Sequence, residues 1–353
     1  MRRQGANGEQ VSASLFRKRL RKFRRIKRGW YSFLLLTACY ALSFLLPLVV
    51  NNKPLLLRYE GDTYFPLLHF YPASTFGGEG SEEPNYRTLA ARFRAEGKGF
   101  ALMPLYPYHP NESLLELPGQ PPHAPSREHW CGTDNRGRDV FARLVYGFRI
   151  SISFALITTL VSYVVGITIG ALLGYYGGRF DISVQRLIEI WSAMPFLYTM
   201  IIISSILQPN FALLVVVLTL FGWMGMTYYV RGEFYREKAK DYVAAAIAMG
   251  ASNRQVIFRH ILPNALTPVV SFAPFAVVGY IGSLVSLDFL GFGLAPPTPS
   301  WGQLVQQGMD EITNAWWLVL TPLTALFFTL LMVTFIGEAV REAFDPKVFS
   351  RLR

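Results

Sequence analysis

Residues 241–263, DYVAAAIAMGASNRQVIFRHILP, lie between two long apolar segments and form the one strongly amphiphilic stretch in the second half of the chain. Apolar flanks hold such a stretch at a membrane surface. Asp241 is an N-cap or first-turn acid, favourable against a helix dipole. Ala244, Ala245, Ala246 and Ala248 favour helix and leave little bulk. Gly250 suits the left-handed position that ends a helix. After Ala251, Ser252 caps a second short helix in which Arg254 and Arg259 face water. Leu262-Pro263 marks the turn into the next apolar run. A short helix ended by a glycine fits a groove on a partner, the small side chains permitting close approach. A plain surface loop is the alternative that the residues alone leave open.

The flanks set the class. Of 353 residues, 52% are hydrophobic and 16% charged, which places the chain among multi-span membrane proteins. A span needs about 20 apolar residues. Six segments qualify: Trp30–Val50, Ile150–Tyr176, Ile182–Leu207, Phe211–Val230, Ala265–Leu287 and Trp316–Gly337. The formal net charge of +11 does not point to nucleic acid. Eleven Lys or Arg with a single acid precede the first apolar run, between Arg2 and Arg28, and no nucleic-acid recognition fold follows. This cluster reads as a topogenic and lipid-headgroup signal. The first apolar run is too long for a signal peptide and continues as Asn51-Asn52-Lys53-Pro54 without a cleavage site, so it is expected to be a retained anchor.

Lys and Arg set the orientation. The tail 1–29, the loop holding Arg179, the segment 231–263 and the tail 341–353 are basic and are expected to be cytoplasmic. The connections Gln208–Asn210 and Gly291–Ala315 contain no Lys or Arg. The loop 51–149 is expected to be an irregular extracytoplasmic cap. Its Gly-Glu and Pro-rich pieces favour turns, one short helix falls within YRTLAARFRAEGKGF, and a membrane-surface helix runs over Asp139–Ser153. The core of five further spans covers 150–340. Gly166, Gly170, Gly174 and Gly178 recur every four residues along one helix face, which suits close helix packing, with a pore-facing hinge as the other reading. Cys39 and Cys131 are too far apart in kind and place for a framework and are expected to be unpaired.

Three motifs carry a resemblance. The stretch 241–263 resembles the EAA loop of permease subunits in binding-protein-dependent ABC importers: Glu-Ala-Ala, three residues, Gly, nine residues, Ile, any residue, Leu-Pro. Ala245, Ala246, Gly250, Leu262 and Pro263 match. Ala244 stands where the glutamate is usual and His260 where isoleucine is usual, so an ion pair from position 244 is absent here. The run HWCGTDNRGRDVFARLVYGFRISIS (129–153) is similar to the GTDxxGRDVxSRxxxGxR signature of dipeptide and oligopeptide permeases. It matches at Gly132, Thr133, Asp134, Gly137, Arg138, Asp139, Val140, Arg143, Gly147 and Arg149. Asp134 and Asp139 with three arginines suit a local ion-pair network, direct substrate contact being the lesser reading. FLGFGLAPPTPSWGQLV (289–305) is similar to a FLGLGxxPPTPSWG element of the same permeases. The long first loop and LDFLGFG look most like the permeases of microcin C-type peptide uptake systems.

Charges near spans need an account, because each is costly in hydrocarbon. Asp288 and Glu338 are expected at the headgroup level. Glu189 is the candidate cavity-facing group, with a helix–helix polar contact as the alternative. Trp191, Phe196, Trp223 and Phe275 are candidates for the pathway wall, though core packing suits each singly. No phosphate-binding loop, HExxH, CxxC or GxSxG occurs, so by those signatures the chain is neither the ATPase nor a hydrolase. The histidines of the first loop are too dispersed to argue for metal.

The reading is an all-α polytopic membrane protein of six spans. The resemblance implies one permease subunit of an ATP-driven peptide importer in the inner membrane, with both termini cytoplasmic. It implies no catalysis and no cofactor in this chain, since ATP and magnesium belong to the partner. Its implied partners are a second permease, an ATP-binding cassette ATPase of two chains or one fused chain, an extracytoplasmic binding protein and membrane lipid. The rival reading, a stand-alone secondary transporter or channel, calls for midplane ionisable sites and broken helices in related halves. Neither is clear in the sequence.

Overall fold

A computed structural model describes residues 17–97 and 99–344. The expected tails at 1–16 and 345–353 lie outside the described residues. A helix at 17–25 (α1) meets α2 (Lys27–Ser43) at Ile26. A turn at Phe44 and Leu45 leads to one more helical turn, α3 (Leu46–Val49). The expected first span is therefore divided. The 17 residues of α2 reach about 26 Å at 1.5 Å per residue, a little less than the hydrocarbon core. Arg28 pairs with Glu338 at 3.0 Å, tying α2 to the last helix.

The first loop holds a folded unit where sequence composition points to an irregular cap. Strands β1 (Leu56–Tyr59), β2 (Asp62–Tyr64) and β3 (Gly99–Leu102) form an antiparallel sheet in the order β2-β1-β3. Helix α4 (Tyr86–Glu96) packs on one face, with Leu57, Phe76, Leu89, Phe93 and Ala101 buried between them. Asn85 caps α4 by accepting from the Arg87 and Thr88 amides. Gly97, at φ +66, ends it in the conformation that glycine adopts without strain.

Helix α5 (Val140–Tyr176) runs 37 residues without a break. The separate surface helix expected over 139–153 is instead the first part of α5. The Asp139 carboxylate caps it, accepting from the Ala142 amide at 2.8 Å. The expected third span is broken into α6 (Gly178–Ser192) and α7 (Phe196–Ile206), bent by 68°. Pro195 lacks an amide proton and disfavours the helical region at Met194, which accounts for the break. Then come α8 (Phe211–Lys238), α9 (Asp241–Ala248), α10 (Asn253–Gln255), a π-helical stretch at 256–261, α11 (Leu262–Phe289), α12 (Trp301–Asp310) and α13 (Trp317–Phe344). Among the described residues, four helices are individually long and apolar enough to cross a membrane, and the bent pair, taken as one span, gives a fifth.

Helices α5 and α8 form the tightest pair. A Cβ on Gly166 would stand 2.7 Å from the Trp223 carbonyl oxygen, one on Gly170 2.7 Å from that of Thr227, and one on Gly174 2.5 Å from Phe234 Cβ. The backbones therefore meet because these three positions carry no side chain. Gly178 departs from the pattern. Nothing lies within 4 Å of its added Cβ, and its φ of +57 serves the turn from α5 into α6. Asp181 then pins α6 to α8, accepting from Arg231 Nε at 2.6 Å and from the Tyr235 hydroxyl at 2.8 Å.

Candidate functional site

Helix α9 leaves α8 through extended backbone at Lys240 and carries Asp241 in its first turn. It ends in a complete glycine cap. The Gly250 amide donates to the Ile247 carbonyl at 2.9 Å, and the Ala251 amide to the Ala246 carbonyl at 3.0 Å. Gly250 has φ +82, a conformation that an L side chain adopts only with strain. Ser252 opens the next helix with a capping box, its amide donating to Gln255 Oε1 at 2.9 Å. Two caps back to back make 241–255 a fixed corner rather than a slack loop.

The two faces of α9 differ sharply. Val243 is buried against Val256, Ile257 and Ile261, and Ala246 is buried as well. Ala244, Ala245, Ile247, Ala248 and Met249 face outward, with Met249 81% exposed. The corner is tied to its neighbours by polar contacts not evident in the sequence. Tyr242 donates to Glu237 at 2.8 Å and accepts from Asn264 at 3.2 Å. Lys240 pairs with buried Glu237 at 2.7 Å, and Tyr175 of α5 donates to Asn253 at 2.7 Å. Burial and the Glu237 contact push the Tyr242 hydroxyl above its ordinary pKa. The signal for this network is weak in a sequence, because Glu237, Tyr242 and Asn264 come from three helices.

The expected turn at Leu262-Pro263 is absent. Helix continues from Asn253 through the π stretch into α11, with half-buried Leu262 and exposed Pro263 in the first turn. A widened π turn before a proline relieves the crowding that its ring causes in a regular helix. His260, where isoleucine is usual, is half-buried, and its carbonyl accepts from Asn264 at 3.0 Å.

The GTD signature spans the loop before α5 and the first turns of that helix, and its charges are spent inside the protein. Asp134 accepts from the Arg136 and Arg138 amides, each at 2.9 Å, and pairs with the Arg138 guanidinium at 2.6 Å. Arg143 is fully buried, 3.7 Å from Asp134, and donates to the Pro110 carbonyl at 3.1 Å. Asp139 takes no arginine among the described residues. Its carboxylate accepts from the Tyr106 hydroxyl at 2.7 Å and lies 2.8 Å from His129 Nδ1, which corrects the expected network. Arg149 donates to the Ser43 carbonyl at 3.3 Å.

The remaining signature residues lock this end to α12 and α13. Trp317 donates to the Thr133 carbonyl at 3.2 Å, and Trp301 to the Leu144 carbonyl at 2.9 Å. Gly147 faces the Trp301 ring, Gly132 faces the His123 carbonyl, and Gly137 sits in a left-handed turn. Asp288, in the last turn of α11, is buried. It accepts from the Leu294 amide at 2.6 Å and the Ser300 hydroxyl at 2.5 Å, closing the loop after α11.

The candidate pathway residues divide. Trp191 and Trp223 both donate to the Leu220 carbonyl at 2.9 Å, and Phe196 stacks edge-on against Phe221 at 5.3 Å. These three meet beside the break between α6 and α7. Phe275 does not join them and packs against Gly337 of α13. Glu189 is exposed and pairs with Arg186 along its own helix at 2.6 Å. Only one bent pair occurs among the described residues, so the paired broken helices of a secondary transporter are not found there. No cluster of three or more His, Cys, Asp or Glu positioned to hold a metal occurs among the described residues either.

The model of the family described as "Binding-protein-dependent transport system inner membrane component" matches residues 166–350. The "Inner membrane ABC transporter permease protein YejE" of Escherichia coli (strain K12) is 44% identical over 325 residues, 92% of this chain and 95% of that one. The "Peptidoglycan transport system permease protein YejE" of Agrobacterium fabrum (strain C58 / ATCC 33970) is 38% identical, covering 94% and 93%. The "Dipeptide transport system permease protein DppC" of Bacillus subtilis (strain 168) is 35% identical over 227 residues, 64% of this chain and 70% of that one.

Proposed function

The chain belongs to the family of inner-membrane components of binding-protein-dependent transport systems, and on that premise we propose that it forms part of an import pathway for peptides or peptide-containing compounds. As a permease subunit of an ABC importer it is a multi-pass inner-membrane protein that works with an ATPase and a substrate-binding protein. The finer assignment is our reading. The ATPase, one fused chain or two, docks on the outward face of α9. A second permease completes the pathway, the exposed α6–α7 pair facing it or lipid. Both termini and α9 lie on the cytoplasmic side, where the Lys and Arg of the short connections concentrate.

One observation carries the docking assignment: α9 is held rigidly by two caps while its outer face, beyond Asp241 and Tyr242 in the first turn, offers Ala244, Ala245, Ile247, Ala248 and Met249. Small and apolar residues on a fixed short helix suit a groove. Nucleotide then drives the spans by binding one conformation of the assembly more tightly than the other. The peptide assignment is supported by relatives whose names speak of peptidoglycan and dipeptide transport. Microcin C-type peptides fall within that class.

The test is ATPase activity and peptide uptake of the reconstituted complex carrying Ala245→Trp. Position 245 is exposed, so the chain is expected to fold and insert normally while both activities fall at least tenfold. Normal uptake with Ala245→Trp would refute docking through α9. Separately, uptake that a glucose excess blocks and a tripeptide excess does not would refute the substrate class.

A further inference from the structure

We propose that a cavity of about 770 Å³ between α1, α8, α11 and α13 binds the phosphate of an anionic lipid headgroup and so clamps the basic N-terminal helix beside the docking corner. Four cations line it: Arg19, Arg236, Lys240 and Arg341. Its two acids are already taken, Glu233 by Arg236 and Glu237 by Lys240. Arg19 and Arg341 therefore have no carboxylate partner among the described residues. Arg19 is half-buried, its Nη1 3.5 Å from the Thr267 hydroxyl and its guanidinium 4.9 Å from the centre of the Phe344 ring. Burial alone acts on it and pulls its pKa below the ordinary range. Arg87 shows the contrast. It is also removed from water, but Glu112 and Glu116 raise its pKa.

Arginine stays charged under any physiological condition, so the imbalance is met by an anion and not by proton loss. Two guanidiniums and a hydroxyl lining one cavity suit phosphate oxygens, which arginine binds through a planar fork. The Phe344 ring gives the cavity an apolar wall suited to the glycerol end of a lipid. The position fits as well. Arg19 precedes the first apolar helix, Arg341 lies in the last turn of α13, and Lys240 follows the end of α8, so all meet at one membrane face. Lys240 is also the residue from which α9 starts, which places the headgroup one residue from the docking helix.

The chain is purified with its co-isolating subunits in mild detergent and titrated with phosphatidylglycerol, with retained lipid counted by native mass spectrometry. The double change Arg19→Gln/Arg341→Gln is expected to weaken one lipid's retention about thirtyfold, the sum for two cations at an anionic site. Arg25→Gln/Lys27→Gln removes the same charge from exposed positions outside the cavity and is expected to leave that lipid in place. Arg19→Lys/Arg341→Lys keeps the charge and is expected to lose only a few-fold, which separates loss of charge from loss of fold. Displacement of the lipid by inorganic phosphate identifies free phosphate as the ligand, and resistance to it identifies the lipid headgroup. Equal loss in both glutamine pairs, or no preference for phosphatidylglycerol over phosphatidylcholine together with no phosphate effect, overturns the site.

Discussion

Arg143 is fully buried, and two of its nitrogens, Nε and Nη2, find no hydrogen-bond acceptor. Its nearest acid, Asp134, is also held by Arg138. Removing one partner of a buried ionic group leaves the rest uncompensated. Asp134→Asn is accordingly expected to destabilise the chain by about 3–5 kcal/mol, whereas Arg149→Gln, at a half-buried position, costs about 1 kcal/mol. Chemical unfolding in detergent measures both. An Asp134→Asn chain as stable as the parent would remove the structural role and favour substrate contact. His109 adds a pH dependence. Burial lowers its pKa, with Glu112 opposing and Lys53 assisting. The folded state thus prefers the neutral ring, and the unfolded chain takes up the proton first. Its contribution is complete above the ordinary histidine pKa and is lost as pH falls through that value towards the lowered one. The protection factors of amides in 103–117, with the intrinsic pH dependence of exchange divided out, are expected to fall between about pH 7.5 and 5.5, and His109→Gln is expected to flatten that fall; an unchanged slope in the variant would exclude His109 as its source. The acids of the GTD signature were legible as an ionic cluster. The partners of Asp139 were not, because His129 and Tyr106 lie 10 and 33 residues away in sequence and meet it only in the fold.

The glycine row shows where pattern reading succeeds and stops at the level of elements. Spacing by four identifies a helix face, and Gly166, Gly170 and Gly174 do meet α8 backbone. The same spacing carries on to Gly178, where the helix has already ended. Periodicity has no term for a terminus. Gly170→Leu is expected to separate α5 from α8 and abolish stable insertion. Gly178→Ala meets no neighbour and strains only the backbone, at about 1 kcal/mol. Protease resistance in membranes distinguishes them, and equal effects would contradict the packing account. The short helix expected within 86–100 is present as α4, but the sheet escaped the sequence reading because the strands have only 4, 3 and 4 residues, and β3 lies far along the chain from β1. The break at Pro195 was hidden by the apolar residues on both sides, which read as one continuous span.

At the scale of the molecule, hydropathy is enough to place the apolar helices, because backbone polar groups in hydrocarbon leave few other structures. It says less about what the surfaces do. The outward face of α9 was legible through its alanines and Gly250, which short-range chemistry determines. Ile247 and Met249 needed the structure, since Val243 and Ala246 are equally apolar and point inward. The central claim is that this outward face meets the ATPase. Site-directed cross-linking tests it most directly. In a chain lacking Cys39 and Cys131, Met249→Cys is reacted with the assembled complex in membranes, and Leu115→Cys, 89% exposed in the first loop, serves as the comparison. The account predicts a Met249→Cys cross-link to the ATPase whose yield changes with ATP, is lost with Gly250→Pro, and has no counterpart from Leu115→Cys. A cross-link to the ATPase from Leu115→Cys and none from Met249→Cys would contradict it.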